Sequence, residues 1–249
     1  MRAYSWEKYE PLSMVKLGVA IAEYFGGQKT VATGRDGHGV SRFCRRCLVS
    51  GMVSTGTQVL DFRVIPSQAI RYGVVTQKLD GAAYVSYFQK EIQVHVYDER
   101  GRNLPAEGIL KIRDILQEIS DVATSASDVG SLMQYTNGIE DYVDYLRGLM
   151  TVRKSGKWLI DAQSDPISLV VEPLFVSAGI ECRIFNPMLV GDGEIRSREE
   201  FMNEFSRGGY SHGMIIERDE LLGATYFGSD GSSKHFSSFE ELVKGVFSR

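Results

Sequence analysis

Between Thr30 and Ile70 short apolar runs alternate with helical spacing, and this order restricts the chain to a mixed α/β architecture. Thr30-Val31-Ala32 reads as a short strand, followed by the glycine-rich Gly34-Arg35-Asp36-Gly37-His38-Gly39-Val40-Ser41. Val40, Phe43, Cys47 and Leu48 then keep helical spacing, and Gly56 closes that helix. Thr57–Val64 is a second strand, with Val59, Leu60, Phe62 and Val64 as its buried positions, and Pro66 starts the next helix at Pro66-Ser67-Gln68-Ala69-Ile70. Strands alternating with helices in this way predict a largely parallel sheet flanked by helices.

The same alternation runs through the rest of the chain. Leu12–Phe25 is apolar on nearly all sides and predicts a helix buried between other elements, ended by Gly26-Gly27 in a left-handed cap. Ala83–Tyr87 and Ile92–Tyr97 are strand candidates joined by the short Phe88–Glu91 connection. A connection that short demands an antiparallel pair, expected at the sheet edge. Ile109, Ile112, Ile115, Leu116 and Ile119 define an amphipathic helix, and 124–131 is small and polar. A helix from about Ile139 to Met150 bridges to a second unit. That unit reads as strand Trp158–Asp161, helix Ile167–Ser177, strand Glu181–Phe185, a helix around Phe201–Phe205, strands His212–Glu217 and Thr225–Phe227, and a closing helix Phe239–Phe247. The expected domains are therefore 1–150 and 151–249, each a mixed, mostly parallel sheet with helices on it.

Composition narrows the class of partner more than it names one. The chain has 249 residues, 43% of them hydrophobic and 24% charged, with a formal net charge of −4 and no basic block. That balance argues against nucleic acid as the main partner. No apolar run is long enough to span a bilayer, and the first residues lack the apolar core of a signal peptide. Three cysteines make no disulfide scaffold, so the expected location is the cytoplasm.

Two motifs carry possible chemistry. The turn Gly34–Gly39 stands at a strand's carboxyl end and feeds a helix amino terminus, where backbone N–H groups and the helix dipole favour anions. Arg35, His38, Ser41 and Arg42 add donors, so these four are the candidate phosphate ligands. The competing reading has Arg35 and Asp36 making structural hydrogen bonds. Cys44-Arg45-Arg46-Cys47 has redox spacing, and with Ser41 as helix cap Cys44 would fall in the first turn. Zinc would need two more ligands, with only Cys182 and four scattered histidines on hand. A core cysteine with a surface neighbour, and Arg45-Arg46 in a surface patch, is the expectation.

The order and spacing of the first half resemble domain I of the α-D-phosphohexomutases (phosphomannomutase/phosphoglucomutase). That family has V-G-R-D-x-R-x-S-S, a helix, G-V-D-V-x-D-x-G and then P-T-P. In the second half, 157–162 (Lys-Trp-Leu-Ile-Asp-Ala) and 176–181 (Val-Ser-Ala-Gly-Ile-Glu) are similar to the strand and turn of its domain II. The resemblance implies two of the family's four domains, with altered functional loops. Where the family has its serine loop, this chain reads Gly81-Ala82-Ala83-Tyr84-Val85-Ser86-Tyr87-Phe88-Gln89-Lys90-Glu91, and Phe88 falls at the nucleophile. Phenylalanine cannot accept a phosphoryl group. Ser86 and His95 are the remaining catalytic candidates. His95, which stands at the lysine of the family's G-I-K-V, is expected on the solvent side of its strand. In the metal loop, Glu217 and Asp219 match the first two magnesium ligands, Leu221 replaces the third and Leu222 the arginine. His38 replaces the family's second arginine.

Three functions follow as expectations. The first is a phosphohexomutase-like protein that has lost catalysis and regulates or scaffolds, with itself or a full-length mutase as partner. The second is a sugar-phosphate-binding module using the Arg35 loop. The third is a divergent phosphomannomutase/phosphoglucomutase-type phosphotransferase of carbohydrate metabolism. No cofactor is expected unless catalysis remains, in which case it would be Mg²⁺; no nucleic acid and no membrane are expected as partners.

Overall fold

The computed structural model describes residues 10–120, 125–151, 154–188, 195–218 and 223–247, together with the backbone of 4–6. The chain divides into two compact units, 1–138 and 139–249, earlier than the expected boundary at 150/151.

Unit 1 runs β1 (Tyr4–Trp6), α1 (Pro11–Phe25), β2 (Thr30–Arg35), α2 (Gly39–Val53) and β3 (Gln58–Val64). It continues with α3 (Ser67–Thr76), β4 (Gly81–Phe88), β5 (Glu91–Tyr97), α4 (Ala106–Glu118) and β6 (Leu132–Gln134). These strands form a six-stranded sheet in the order β1-β5-β4-β2-β3-β6. β2 is parallel to both β3 and β4, while β5 is antiparallel to β4 and to β1. The expected antiparallel pair is present, but β5 is not the edge, because β1 pairs outside it. β1 and β6 went unforeseen because three residues are too few to show a period.

The α1/α2 face of the sheet carries the main core. Val31, Val59, Ala83, Val85, Val94 and Val96 meet Leu17, Ile21, Cys44, Leu48 and Met52 there. α1 and α2 approach backbone to backbone at Gly18 and Gly51. A Cβ on the first would overlap the Leu48 carbonyl and on the second the Val15 carbonyl. α1 begins at Pro11 and ends on Gly26 at φ 98°, as the glycine pair requires.

Unit 2 runs α5 (Gly138–Leu149), β7 (Trp158–Asp161), α6 (Ser168–Ser177), β8 (Cys182–Phe185) and α7 (Arg198–Arg207). It closes with β9 (His212–Ile216), β10 (Ala224–Gly228), β11 (Ser233–Phe236) and α8 (Phe239–Phe247). Its five-stranded sheet is ordered β11-β10-β9-β7-β8, with β7 parallel to β8 and β9 and the β9-β10-β11 ribbon antiparallel. α5 belongs with this unit: the Tyr142 hydroxyl donates to Glu240 Oε1 at 3.1 Å. α7 starts in a capping box, Ser197 and Glu200 each satisfying the other's backbone N–H. Leu159, Phe185, Phe201, Tyr210, Ile215 and Phe227 form the core on one side. Trp158 packs against Phe175 and Phe247.

Candidate functional site at the strand ends

Both sheets carry a topological switch at an inner strand, β2 in the first and β7 in the second. From β2 the chain passes through α2 to β3 on one side, then through α3 across to β4 on the other. From β7 it passes to β8 on one side and to β9 on the other. Crevices at such carboxyl ends are where open α/β sheets place ligands.

In unit 1 the switch is the Arg35 loop, and much of its hydrogen-bonding capacity is spent internally. Asp36 is buried, and its Oδ1 accepts from His38 N at 3.0 Å while its Oδ2 accepts from Tyr87 N at 2.8 Å. The Arg35 guanidinium donates to the Asp36 carbonyl at 2.7 Å. His38 caps α2 by accepting from Val40 N through Nδ1 at 3.1 Å, and its ring stacks on Tyr87 with centroids 4.2 Å apart. The cap thus lies three residues before the expected one. Ser41 is no cap but a fully buried first-turn residue whose Oγ has no hydrogen-bond partner. The physical reason is geometric: His38 sits in extended backbone just ahead of Gly39, which brings its Nδ1 within reach of Val40 N. Arg42 is exposed on the same turn.

Arg45 corrects the expected surface patch. It is buried and ion-paired to Asp61 of β3 at 2.9 Å, whereas Arg46 is exposed. The sequence signal was present, since Asp61 is a lone carboxylate in an apolar strand and a buried charge calls for a partner. Burial lowers the pKa of Arg35, and repulsion by Arg45 adds to it. Burial likewise lowers that of Arg45, against the opposing pull of Asp61.

The segment that stands at the family's serine loop is a tight hairpin. β4 and β5 pair without interruption from Ala82↔Tyr97 to Phe88↔Glu91, leaving Gln89 and Lys90 as a two-residue turn at φ 53° and 64°. Ser86 pairs with Gln93, and His95 pairs with Tyr84. Both candidates therefore share one face of the hairpin, diagonal neighbours with Phe88 beyond Ser86. His95 is buried rather than on the solvent side as expected, because α3 covers this face: Gly34, on the same side, lies against Ile65, Ile70 and Tyr84. Arg35, Ser41 and Arg45 lie toward α2, on the other face.

In unit 2, Asp161 ends β7 and is buried. Its Oδ1 accepts from Gln163 N at 2.9 Å and from Asn186 Nδ2 at 3.0 Å. Burial raises its pKa, and the two hydrogen bonds pull the other way. Asn186 also clamps Arg196, donating to its carbonyl at 3.0 Å and accepting from its N–H at 2.8 Å. Sequence reading missed Asn186, and the polar end of the apolar run Trp158–Asp161 was the only available hint. Glu217 follows β9 and its N–H bonds the Gly223 carbonyl at 2.6 Å. Asp219 lies outside the described residues, as do Leu221 and Leu222. Among the described residues no three His, Cys, Asp or Glu side chains converge on a point.

The cysteines are free thiols in the structure. Cys44 is a core residue whose thiol burial pushes up to about 12, Cys47 is partly buried against the same core, and Cys182 is pushed up to about 11 by burial. Thiols raised in this way, as those of Cys44 and Cys182 are, make poor nucleophiles. No helix among the described residues is long and apolar enough to cross a membrane.

The doubly switched α/β units have a phosphohexomutase-like fold. Residues 2–123 match the family model described as phosphoglucomutase/phosphomannomutase, alpha/beta/alpha domain I. That match to the first domain of the phosphohexomutase family takes in just under half of the chain. The chain is 23% identical over 167 residues to phosphoglucosamine mutase of Thermoanaerobacter sp. (strain X514), covering 65% of this chain and 37% of that protein. It is 39% identical over 82 residues to phosphopentomutase of Thermococcus kodakarensis, covering 33% of this chain and 17% of that one. Its fold is similar to that of a phosphoglucomutase/phosphomannomutase family protein from Burkholderia thailandensis, with a TM-score of 0.76 and 16% identity over 90% of this chain and 52% of that chain. It is also similar to parafusin, a phosphoglucomutase from Paramecium, with a TM-score of 0.66 and 10% identity over 86% of this chain and 49% of that one. The chain therefore spans well under two thirds of the relatives it matches.

Proposed function

We propose that this protein is a phosphohexomutase relative that has given up phosphoryl transfer and acts as a regulatory or scaffolding partner, of itself or of a full-length mutase. The uninterrupted β4–β5 hairpin carries this reading. Transfer through a covalent intermediate needs a nucleophile presented next to a base. Here the segment that would present it is paired backbone to its last residue, Phe88, and turns back within two residues. Ser86, the nearest serine in the chain, is held in the ladder opposite Gln93. The magnesium donor set is incomplete for the same chemistry.

The test is incubation of the chain with a hexose 1,6-bisphosphate labelled in its phosphates, beside an assay for interconversion of hexose 1- and 6-phosphates. Neither protein-bound label nor turnover is expected, while sedimentation with a full-length mutase, or of the chain alone, should show a complex. Label that is retained by the unmodified chain and lost in Ser86→Ala would establish the divergent phosphotransferase instead.

A further inference from the structure

Among the described residues β6 is an edge of the unit 1 sheet, paired with β3 on its inner side. The parallel ladder runs from the Ser131 carbonyl, which accepts from Val59 N at 2.7 Å, to Tyr135 N, which donates to the Asp61 carbonyl at 2.9 Å. Backbone groups alternate in direction along a strand, so Ser131, Met133 and Tyr135 face β3. Leu132 and Gln134 therefore turn their N–H and C=O groups to the outer edge. The strand is pinned at both ends: Gly130 N donates to the Val53 carbonyl at 2.7 Å, and the Tyr135 hydroxyl accepts from Gln77 Nε2 at 2.8 Å.

Sheet edges are ordinarily blunted by charged side chains, because a bare edge is a template for another strand. Both edges of the unit 2 sheet are blunted in this way, with Arg183 exposed on β8 and Lys234 on β11. The β6 edge is not. From Val129 to Gly138 the sequence has no charged residue and no proline. Leu132 is 52% exposed and Met133 48%. These two stand on opposite faces, Leu132 paired with Val59 and Met133 with Leu60.

We propose that the outer edge of β6 is the surface on which a second copy of this chain pairs, β6 to β6 in antiparallel sense about a two-fold axis at Met133. The occupant is another copy because the edge is complementary to itself. With Met133 on the axis, Leu132 of one copy stands opposite Gln134 of the other. These are the residues whose backbone groups point outward, so each such pair exchanges both of its hydrogen bonds. Charge fits as well, since an uncharged stretch laid against its own copy sets no like charges opposite each other. The two Met133 side chains meet in a pair without hydrogen bonds, where side chains lie closer. Because β3 already holds the strand extended, little further ordering is needed. The proposal rests on the regulatory reading for its use of self-association, and it supplies the surface.

The experiment is sedimentation velocity of the full chain over a concentration series, beside Met133→Lys and Met133→Glu, each alone and mixed. An interface this small should give a dimer with a dissociation constant of roughly micromolar or weaker. A charge on the axis opposes its own copy, so each variant alone should dimerise at least about tenfold more weakly. Their mixture should pair about as well as the unmodified chain. Met133 is half exposed, so both variants should melt like the unmodified chain. In hydrogen exchange, the Leu132 and Gln134 amides should slow as concentration rises, whereas that of Met133 is protected by β3 in the monomer. A chain that stays monomeric throughout would overturn the proposal. So would a dimer that each variant forms alone as readily as the unmodified chain, although that result would keep the regulatory reading and move its surface elsewhere. Mutase turnover together with pairing of the mixed variants would overturn the regulatory reading and uphold the surface. A monomeric chain whose complex with a full-length mutase is lost in Met133→Lys would assign the edge to that partner instead of a second copy.

Discussion

At the carboxyl end of each switch strand stands a buried aspartate that accepts hydrogen bonds from the loop beyond it, Asp36 after β2 and Asp161 at the end of β7. The two differ in how the bonds are divided. Asp36 uses both oxygens, one for His38 N and one for Tyr87 N, and thereby ties the Arg35 loop to β4. Asp161 receives both of its bonds on Oδ1. Arg35 interacts with Asp36, whereas among the causes that set the pKa of Asp161 the one charge is that of Arg196, the smallest. One topological position thus serves as a charged tie in unit 1 and as a desolvated cap in unit 2.

The largest break in this comparison should come from Arg45→Ala, which leaves Asp61 buried and unpaired. A loss of about 3–5 kcal/mol of stability is expected in chemical denaturation, and the paired Arg45→Met, Asp61→Leu change should recover most of it.

Next come the two aspartates themselves, and the signs should differ. In Asp36→Asn one of two N–H groups must face an amide N–H₂, so about 2 kcal/mol should be lost. In Asp161→Asn the retained Oδ1 can keep both bonds while the buried charge is removed. The folded pKa of Asp161 lies above its unfolded value, so the folded state binds the proton more tightly. Its contribution therefore falls as pH rises through the window between the unfolded and folded values. Asp161→Asn should melt higher than the unmodified chain at pH 7, with the gap closing below about pH 4. Equal signs for the two variants in melts from pH 4 to 8 would dissolve the distinction.

The smallest effect concerns the hairpin. Gln89 and Lys90 hold left-handed backbone that Asn-Gly adopts at lower cost, so Gln89→Asn with Lys90→Gly should stabilise by about 1 kcal/mol. A destabilisation would mean that the turn is not of the two-residue type.

What was legible in the sequence followed from local chemistry. The period of Val40, Phe43, Cys47 and Leu48 placed α2, Gly26 placed the end of α1, and the four-residue Phe88–Glu91 connection required an antiparallel pair. Other features were hidden because they are set by neighbours distant in sequence. His95 alternates with Val94 and Val96 in a way that reads half-exposed, but α3 covers that face. Ser41 looks like a cap, yet His38 reaches Val40 N first. Arg45 looks like one of a surface pair until Asp61 is brought to 2.9 Å.

The sequence alone determined the α/β alternation and the antiparallel pairing across the short Phe88–Glu91 connection, because residue type and spacing decide these. Only the tertiary structure decided that the loop is an uninterrupted hairpin and that Ser86 and Arg45 face opposite sides of the sheet. Those depend on strand pairing and on which helix covers which face, and a linear pattern carries no record of either.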